Sequence, residues 1–190
     1  DMTQAAGMYN TLLEAEEPAL VVECLNGYRK KERCPSNLGD FRVALGDVET
    51  LREGSDLTLL SYGSTLHLCE EACGRLSDLG VEIELLDAQT LLPFDLEGKA
   101  AKSVAKTNRL LVVDEDVPGG ASAYLLDDVL NRQGAWNHLD GQAKTLTAKP
   151  HLPAYGSDGD YFSKPSVDDI VESAYNMLRE VDPEAYPSLR

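Results

Sequence analysis

Blocks of apolar and polar positions predict the elements of this chain. Residues 3–14 carry a helical pattern, and "PALVVEC" (Pro18 to Cys24) reads as a buried strand. Next comes "LNGYRKKERCPSNLGDF", which is polar, basic and turn-rich, as segments between two units often are. Residues 42–53 alternate loosely and fit an extended arm. From Leu57 the pattern is cleaner. "LTLLSY" (57–62) is a continuous apolar strand, Gly63 and Ser64 make a turn and an N-cap, and a helix runs from Thr65 to Leu79 with Gly80 as its C-cap. "VEIELL" (81–86) is the next strand, and Asp95 caps a helix through about Thr107. "RLLVVD" (109–114) is a third strand, Gly120 opens a helix to about Arg132, and "AKTLTA" (143–148) is a fourth strand. Last, "SVDDIVESAYNML" opens on a capping box, Ser166 to Asp169. Its apolar positions Val167, Ile170, Val171, Ala174, Met177 and Leu178 mark one helix face.

Strands alternating with helices predict an α/β domain with a largely parallel sheet. Near-continuous apolar strands require cover on both faces. Composition then narrows the function. The 190 residues include 33 acids and 17 basic residues, a formal charge of −16. That disfavours nucleic acid, whose phosphates need Lys and Arg, and an anionic membrane surface. A salt-adapted source is one cause of such charge. No apolar run approaches the roughly 20 residues that span a bilayer. The opening "DMTQAAGMYN" has no Met at position 1 and no signal-peptide pattern, and reads as the middle of a longer chain. Cys24, Cys34, Cys69 and Cys73 form no CxxC pair. Cys69 and Cys73 share a helix face with Ala72, Leu76 and Leu79 and read as buried hydrophobes. Nothing demands an oxidising compartment, so the expected location is cytoplasmic.

Motifs for chemistry are incomplete. "VVDEDVPGG" (112–120) leads from strand to helix, but its glycines fit neither G-x-G-x-x-G nor a phosphate loop. Asp114, Glu115 and Asp116 would repel an anion there. His67, His138 and His151 form no paired ligand spacing, and "SYGST" (61–65) is not a nucleophile elbow. The acids of "SDGDY" (157–161) lack the full calcium loop, and Arg29-Lys30-Lys31 reads as a solvated face. No catalytic, cofactor-binding or metal-binding residue is assigned. The domain should act by binding or supporting something else.

"LREGSDLTLLSYGSTLHLCEEACGRLSDLGVEIELLDAQTLLPFD" (51–95), "RLLVVDEDVPGG" (109–120) and "SKPSVDDIVESAYNML" (163–178) follow in a familiar order. Together they resemble the C-terminal domain of the beta subunit of thiamine-diphosphate-dependent 2-oxo acid dehydrogenases, of the pyruvate or branched-chain type. The similarity covers about residues 40–180. Transketolase and deoxyxylulose-phosphate synthase share the domain and form one alternative; a free-standing interaction domain is another. The resemblance implies a three-layer α/β/α sandwich with a mostly parallel, mixed sheet. It implies that residues 1–38 are a remnant of the preceding pyrimidine-binding domain, 39–56 a connecting arm, 57–180 the domain itself and 181–190 a tail. Thiamine diphosphate and magnesium would sit elsewhere in the parent enzyme, and this piece alone would be inactive. Its role would be to pair subunits, as a homodimer or in an alpha/beta assembly, and to dock the multienzyme complex.

The resemblance also supplies a docking site. In the family, the peripheral subunit-binding domain of the acyltransferase core brings a basic residue to an acid in "[FY]-x-x-L-D-A-P". Here "WNHLDGQ" matches as Trp136, Leu139 and Asp140, with Gly141-Gln142 in place of Ala-Pro. Asp140 is the expected carboxylate acceptor and Leu139 a neighbouring contact. By itself, Asp140 reads equally well as a turn residue before the strand at 143. Other departures are Asp114 where the family often has His, Gln89 where it often has Arg, and Tyr124 where it often has Glu.

Overall fold

The computed structural model describes residues 1–152, 155–156 and 159–188, except the side chains of Asn26 and Asp160. Three apolar runs become the centre of a five-stranded sheet: β2 (Leu57–Ser61), β3 (Ile83–Asp87) and β4 (Leu110–Val113). The edges are β1 (Glu49–Arg52) and β5 (Lys144–Leu146), in the order β1-β3-β2-β4-β5. β1 runs antiparallel to β3, and all other pairs are parallel.

Alternation along each strand assigns its residues to two layers. Leu57, Leu59, Ile83, Leu85, Leu111 and Val113 face α2 (Thr65–Asp78) and α6 (Val167–Val181) in one core. Leu60, Leu86, Leu110 and Val112 face α3 (Lys99–Thr107) and α4 (Ala121–Asp127) in the other. The arrangement is the expected α/β/α sandwich. Cys69 and Cys73 are buried on α2, where burial pushes their thiols up to about 12 and about 11. They stay protonated and pack as hydrophobes.

Local chemistry fixes the element ends. The Ser166 hydroxyl accepts from the Asp169 N–H, and Asp169 accepts from the Ser166 N–H, so the capping box forms as its spacing predicts. Asp95 does cap α3, from a distance: Gly98 holds the N-cap position, while the two Asp95 oxygens accept from the N–H groups of Lys99 and Ala100, each at 2.8 Å. The helix expected from Gly120 to Arg132 is α4 followed by a π-turn, Asp128–Arg132. Here the buried Asp128 carboxylate takes hydrogen bonds from Arg132 and Gln133.

One expected element is missing. The strand over Pro18 to Cys24 enters no ladder, and Leu20 and Val22 are 90% and 83% exposed. Its composition favours extended backbone, but a strand needs a neighbour to take its N–H and C=O groups, and none of the described residues provides one. The preceding α1 (Met2–Glu14) is anchored better. Its Gly7 backs onto Phe41 and Val43, and Gln4 reaches Glu49 of β1 at 2.8 Å.

Gly54, in the loop from β1 to β2, lies against the backbone of β3. A Cβ there would fall 2.1 Å from the Ile83 carbonyl carbon and 2.3 Å from the Glu84 nitrogen. Backbone cannot swing aside as a side-chain tip can. Gly54→Ala should therefore cost roughly 3 kcal/mol or more. A melt within a degree of wild type would show that the loop relaxes freely.

Candidate docking surface at the amino end of the sheet

Parallel strands gather their ends into two rims. At the carboxyl rim, the chain fills its own crevice. Asp114 follows β4 and is fully buried. It accepts from the Tyr62 hydroxyl at 2.7 Å, the Asp116 N–H at 3.0 Å and the Ser122 N–H at 2.9 Å. Burial, then this bond to Asp114, holds the Tyr62 phenol far above its ordinary value. At the end of β3, Asp87 accepts from the Gln89 N–H at 2.9 Å. Burial pushes its carboxyl up to about 6, the Gln89 bond opposes the shift, and the nearby Glu49 charge adds to it.

This rim does not fit a diphosphate. The Ser122 N–H at the helix entry is already bonded to a carboxylate, and Glu115 and Asp116 add negative charge beside it. Among the described residues, no three His, Cys, Asp or Glu converge to hold a metal ion. Ser157 and Asp158 of the acid-rich loop lie outside the described residues.

The amino rim carries the residues expected to meet a partner. Gly134 adopts a φ of +79° and starts a short 3-10 turn, Ala135–His138. Ala135 is fully buried, and Leu139 packs into the core shared with α3 and α4. Asn108 caps α3 in the left-handed region and clamps the segment, accepting from the Asp140 N–H at 3.0 Å and donating to the His138 carbonyl at 2.9 Å. Trp136 is left 66% exposed. The Asp140 side chain is 33% exposed and pairs with Arg109 at 2.6 Å. Gly141 lies against Val181; a Cβ there would come within 3.3 Å of its Cγ2. The departure from Ala thus lets the end of α6 come close.

The sequence profile described as "Transketolase, C-terminal domain" matches residues 46–165. The chain belongs to the transketolase C-terminal domain family. Its relatives include the beta subunit of acetoin:2,6-dichlorophenolindophenol oxidoreductase of Bacillus subtilis (strain 168). That protein is 32% identical over 93% of this chain and 50% of its own length. The pyruvate dehydrogenase E1 component subunit beta of Mesostigma viride is 27% identical over 92% of this chain and 52% of its own. The mitochondrial 2-oxoisovalerate dehydrogenase subunit beta 2 of Arabidopsis thaliana is 34% identical over 68% and 36%. The chain thus spans about half, or less, of the curated relatives it matches. Among solved structures, a "split gene transketolase, inactive beta4 tetramer" superposes with a TM-score of 0.59. It is 19% identical and covers 75% of this chain and 45% of that one. It supports the fold alone.

Within this transketolase C-terminal domain, Gln89 and Tyr124 make contacts inside the domain. Gln89, at φ +56°, donates its side-chain amide to Glu49 at 2.8 Å. Tyr124 sits edge-on to Phe94, with ring centroids 6.4 Å apart. The partner of Asp140 was not anticipated from the sequence. Its one signal is that Arg109 and Asp140 each precede a strand, and those strands prove to be neighbours.

Asp87 supplies a pH test. Its folded carboxyl titrates near 6, against about 3.9 in the unfolded chain. Below the unfolded value both states are protonated and the group costs nothing. As pH rises toward 6 the unfolded state ionises first, so stability falls, levelling off above 6 at a cost of about 3 kcal/mol. Asp87→Asn should therefore melt higher than wild type at pH 7.5 and converge with it below pH 4. Equal melting temperatures at pH 7.5 would place the ionised carboxylate in a solvated site.

Proposed function

We propose that this chain is the assembly and docking part of a thiamine-diphosphate-dependent 2-oxo acid dehydrogenase, and that it performs no chemistry alone. In this reading the parent enzyme decarboxylates a 2-oxo acid and passes the acyl group to lipoyl-lysine. Thiamine diphosphate, held with magnesium by other parts of the parent enzyme, supplies the carbanion chemistry. The names of the relatives support the class, and the pairing of alpha with beta subunits follows from it. Residues 1–38 belong, in this proposal, to the preceding pyrimidine-binding domain. The exposed apolar side chains of Leu20 and Val22 suit a strand whose neighbours lie in that domain. Residues 39–56 then connect it to the domain at 57–180, followed by a tail. Four free thiols suit a reducing compartment, and we place the chain in the cytoplasm.

The observation that carries the docking role is the turn from Trp136 to Asp140. It is rigidly held by Ala135, Leu139 and Asn108, yet it shows solvent one large aromatic ring and one carboxylate. Interfaces favour such aromatic anchors, and a fixed acid selects a basic partner. The partner we propose is the peripheral subunit-binding domain of the acyltransferase core. The surplus of acids adds a faster encounter, weakened by salt.

Asp140→Asn keeps the shape and removes the charge. It should weaken calorimetric binding of that basic domain by roughly 2 kcal/mol or more. Losing the Arg109 pair also lowers the melting temperature, so stability alone does not distinguish the roles. Unchanged affinity would reduce Asp140 to a turn residue.

Self-association has its own test. A two-fold contact is self-complementary, so an isolated copy keeps it. The chain should dimerise at high concentration in high salt, where its charge of −16 is screened. A strict monomer by light scattering under those conditions contradicts the pairing role.

A further inference from the structure

The carboxylate assigned to the partner is already engaged by this chain. Arg109 lies just before β4 and Asp140 four residues before β5. The two strands are parallel neighbours, so their starts stand side by side. Arg109 Nη2 reaches Asp140 Oδ2 at 2.6 Å, and Nη1 donates to the Asp56 carbonyl at 3.0 Å. Its Nε is buried with no hydrogen-bond partner among the described residues. The guanidinium is thus pinned at one end and unsatisfied at another, with its side chain only 15% exposed.

The tail folds back onto the domain near α6. After α6, Asp182 accepts from the Glu184 and Ala185 N–H groups and turns the chain back. Tyr186 then packs on the core, edge-on to Tyr175 at 5.9 Å. Arg109 is therefore held by the Asp56 carbonyl and by Asp140, and its ion pair with Asp140 is part of the folded state.

We propose that Arg109 is a resident competitor for the docking carboxylate. The inference rests on the docking reading above. A guanidinium binds a carboxylate best through two parallel bonds and needs both oxygens. The Arg109 charge already sits against Oδ2, so an incoming arginine that takes both oxygens must share that oxygen with a second cation or displace it. A lysine ammonium needs a single acceptor and can use Oδ1 while the internal pair persists. The competitor therefore lowers affinity for basic surfaces in general, which a chain this acidic would otherwise attract. Only a partner whose remaining contacts compensate, such as one that also covers Trp136, holds on.

The test is a four-part cycle by calorimetry on the whole 190-residue chain. The probe is a peripheral subunit-binding domain of a 2-oxo acid dehydrogenase acyltransferase. Arg109→Gln keeps a polar side chain and removes the cation. It should tighten binding by roughly fivefold in the wild-type background, the size expected for a partly exposed ion pair. In the Asp140→Asn background the same change should do nothing, because the carboxylate being contested is gone. An equal gain in both backgrounds would reduce the effect to bulk charge and overturn the proposal. No gain, or a loss, in the wild-type background overturns it too while leaving the docking reading intact, provided wild type binds. If no variant binds, both fall. Should Arg109→Gln melt below the assay temperature, Arg109→Lys replaces it, with a smaller gain expected and a loss of affinity counting against competition.

Discussion

The structure depends on the burial of both faces of β2, β3 and β4. Every described side chain in Leu57–Leu60, Ile83–Leu86 and Leu110–Val113 is removed from water. A strand covered on two sides needs a helix on each face, and each crossover must carry the chain from one strand's end to the next strand's start. That requirement sets the helix positions and the parallel direction. It also sorts every connecting segment to one rim or the other. The one antiparallel strand of the described sheet, β1, joins at the edge, where Gly54 lets the chain pass against the β3 backbone.

The two rims then follow different chemistry. The carboxyl rim is where ligands of such sheets usually sit. Here it is closed by the chain's own acids: Asp114 ties Tyr62 and Ser122 together, Asp87 holds the Gln89 turn, and Glu49 accepts from Gln4 and Gln89. The amino rim is knitted from backbone bonds and ends on exposed Trp136. One rim is thus closed by the chain's own acids, and the other leaves an anchored turn exposed.

Much of the fold is legible in the sequence because its signals are local. The runs at 57–62 and 109–114, the cap at Gly80 and the box at Ser166 each depend on a few neighbouring residues. Failures occur where a partner outside the local stretch decides. "PALVVEC" has the composition of a strand, but a strand is a relation between two segments. The cap on α3 is supplied by Asp95 across an intervening turn, so the pattern gives the right residue and the wrong helix start. The docking turn was legible only through resemblance, since Asp140 alone is an ordinary turn residue. Arg109 was illegible, because its bond to Asp140 exists only once β4 and β5 lie side by side.

Charge alone would make a poor docking signal on this surface. With 33 acids in 190 residues, a basic partner finds attraction almost everywhere it approaches. Asp140 combines an oriented carboxylate with the exposed Trp136 ring four residues away. Its backbone is bonded to Asn108, its side chain is oriented by Arg109, and the neighbouring Leu139 is fixed in the core. A mobile surface carboxylate must lose side-chain freedom on binding, and exposed ion pairs gain little for that reason. Asp140 has already lost that freedom in the folded state. The same internal arginine that orients the carboxylate also competes for it, so rigidity and restraint come from one bond. Selectivity then falls to the aromatic surface of Trp136, which a merely basic protein has no means to match.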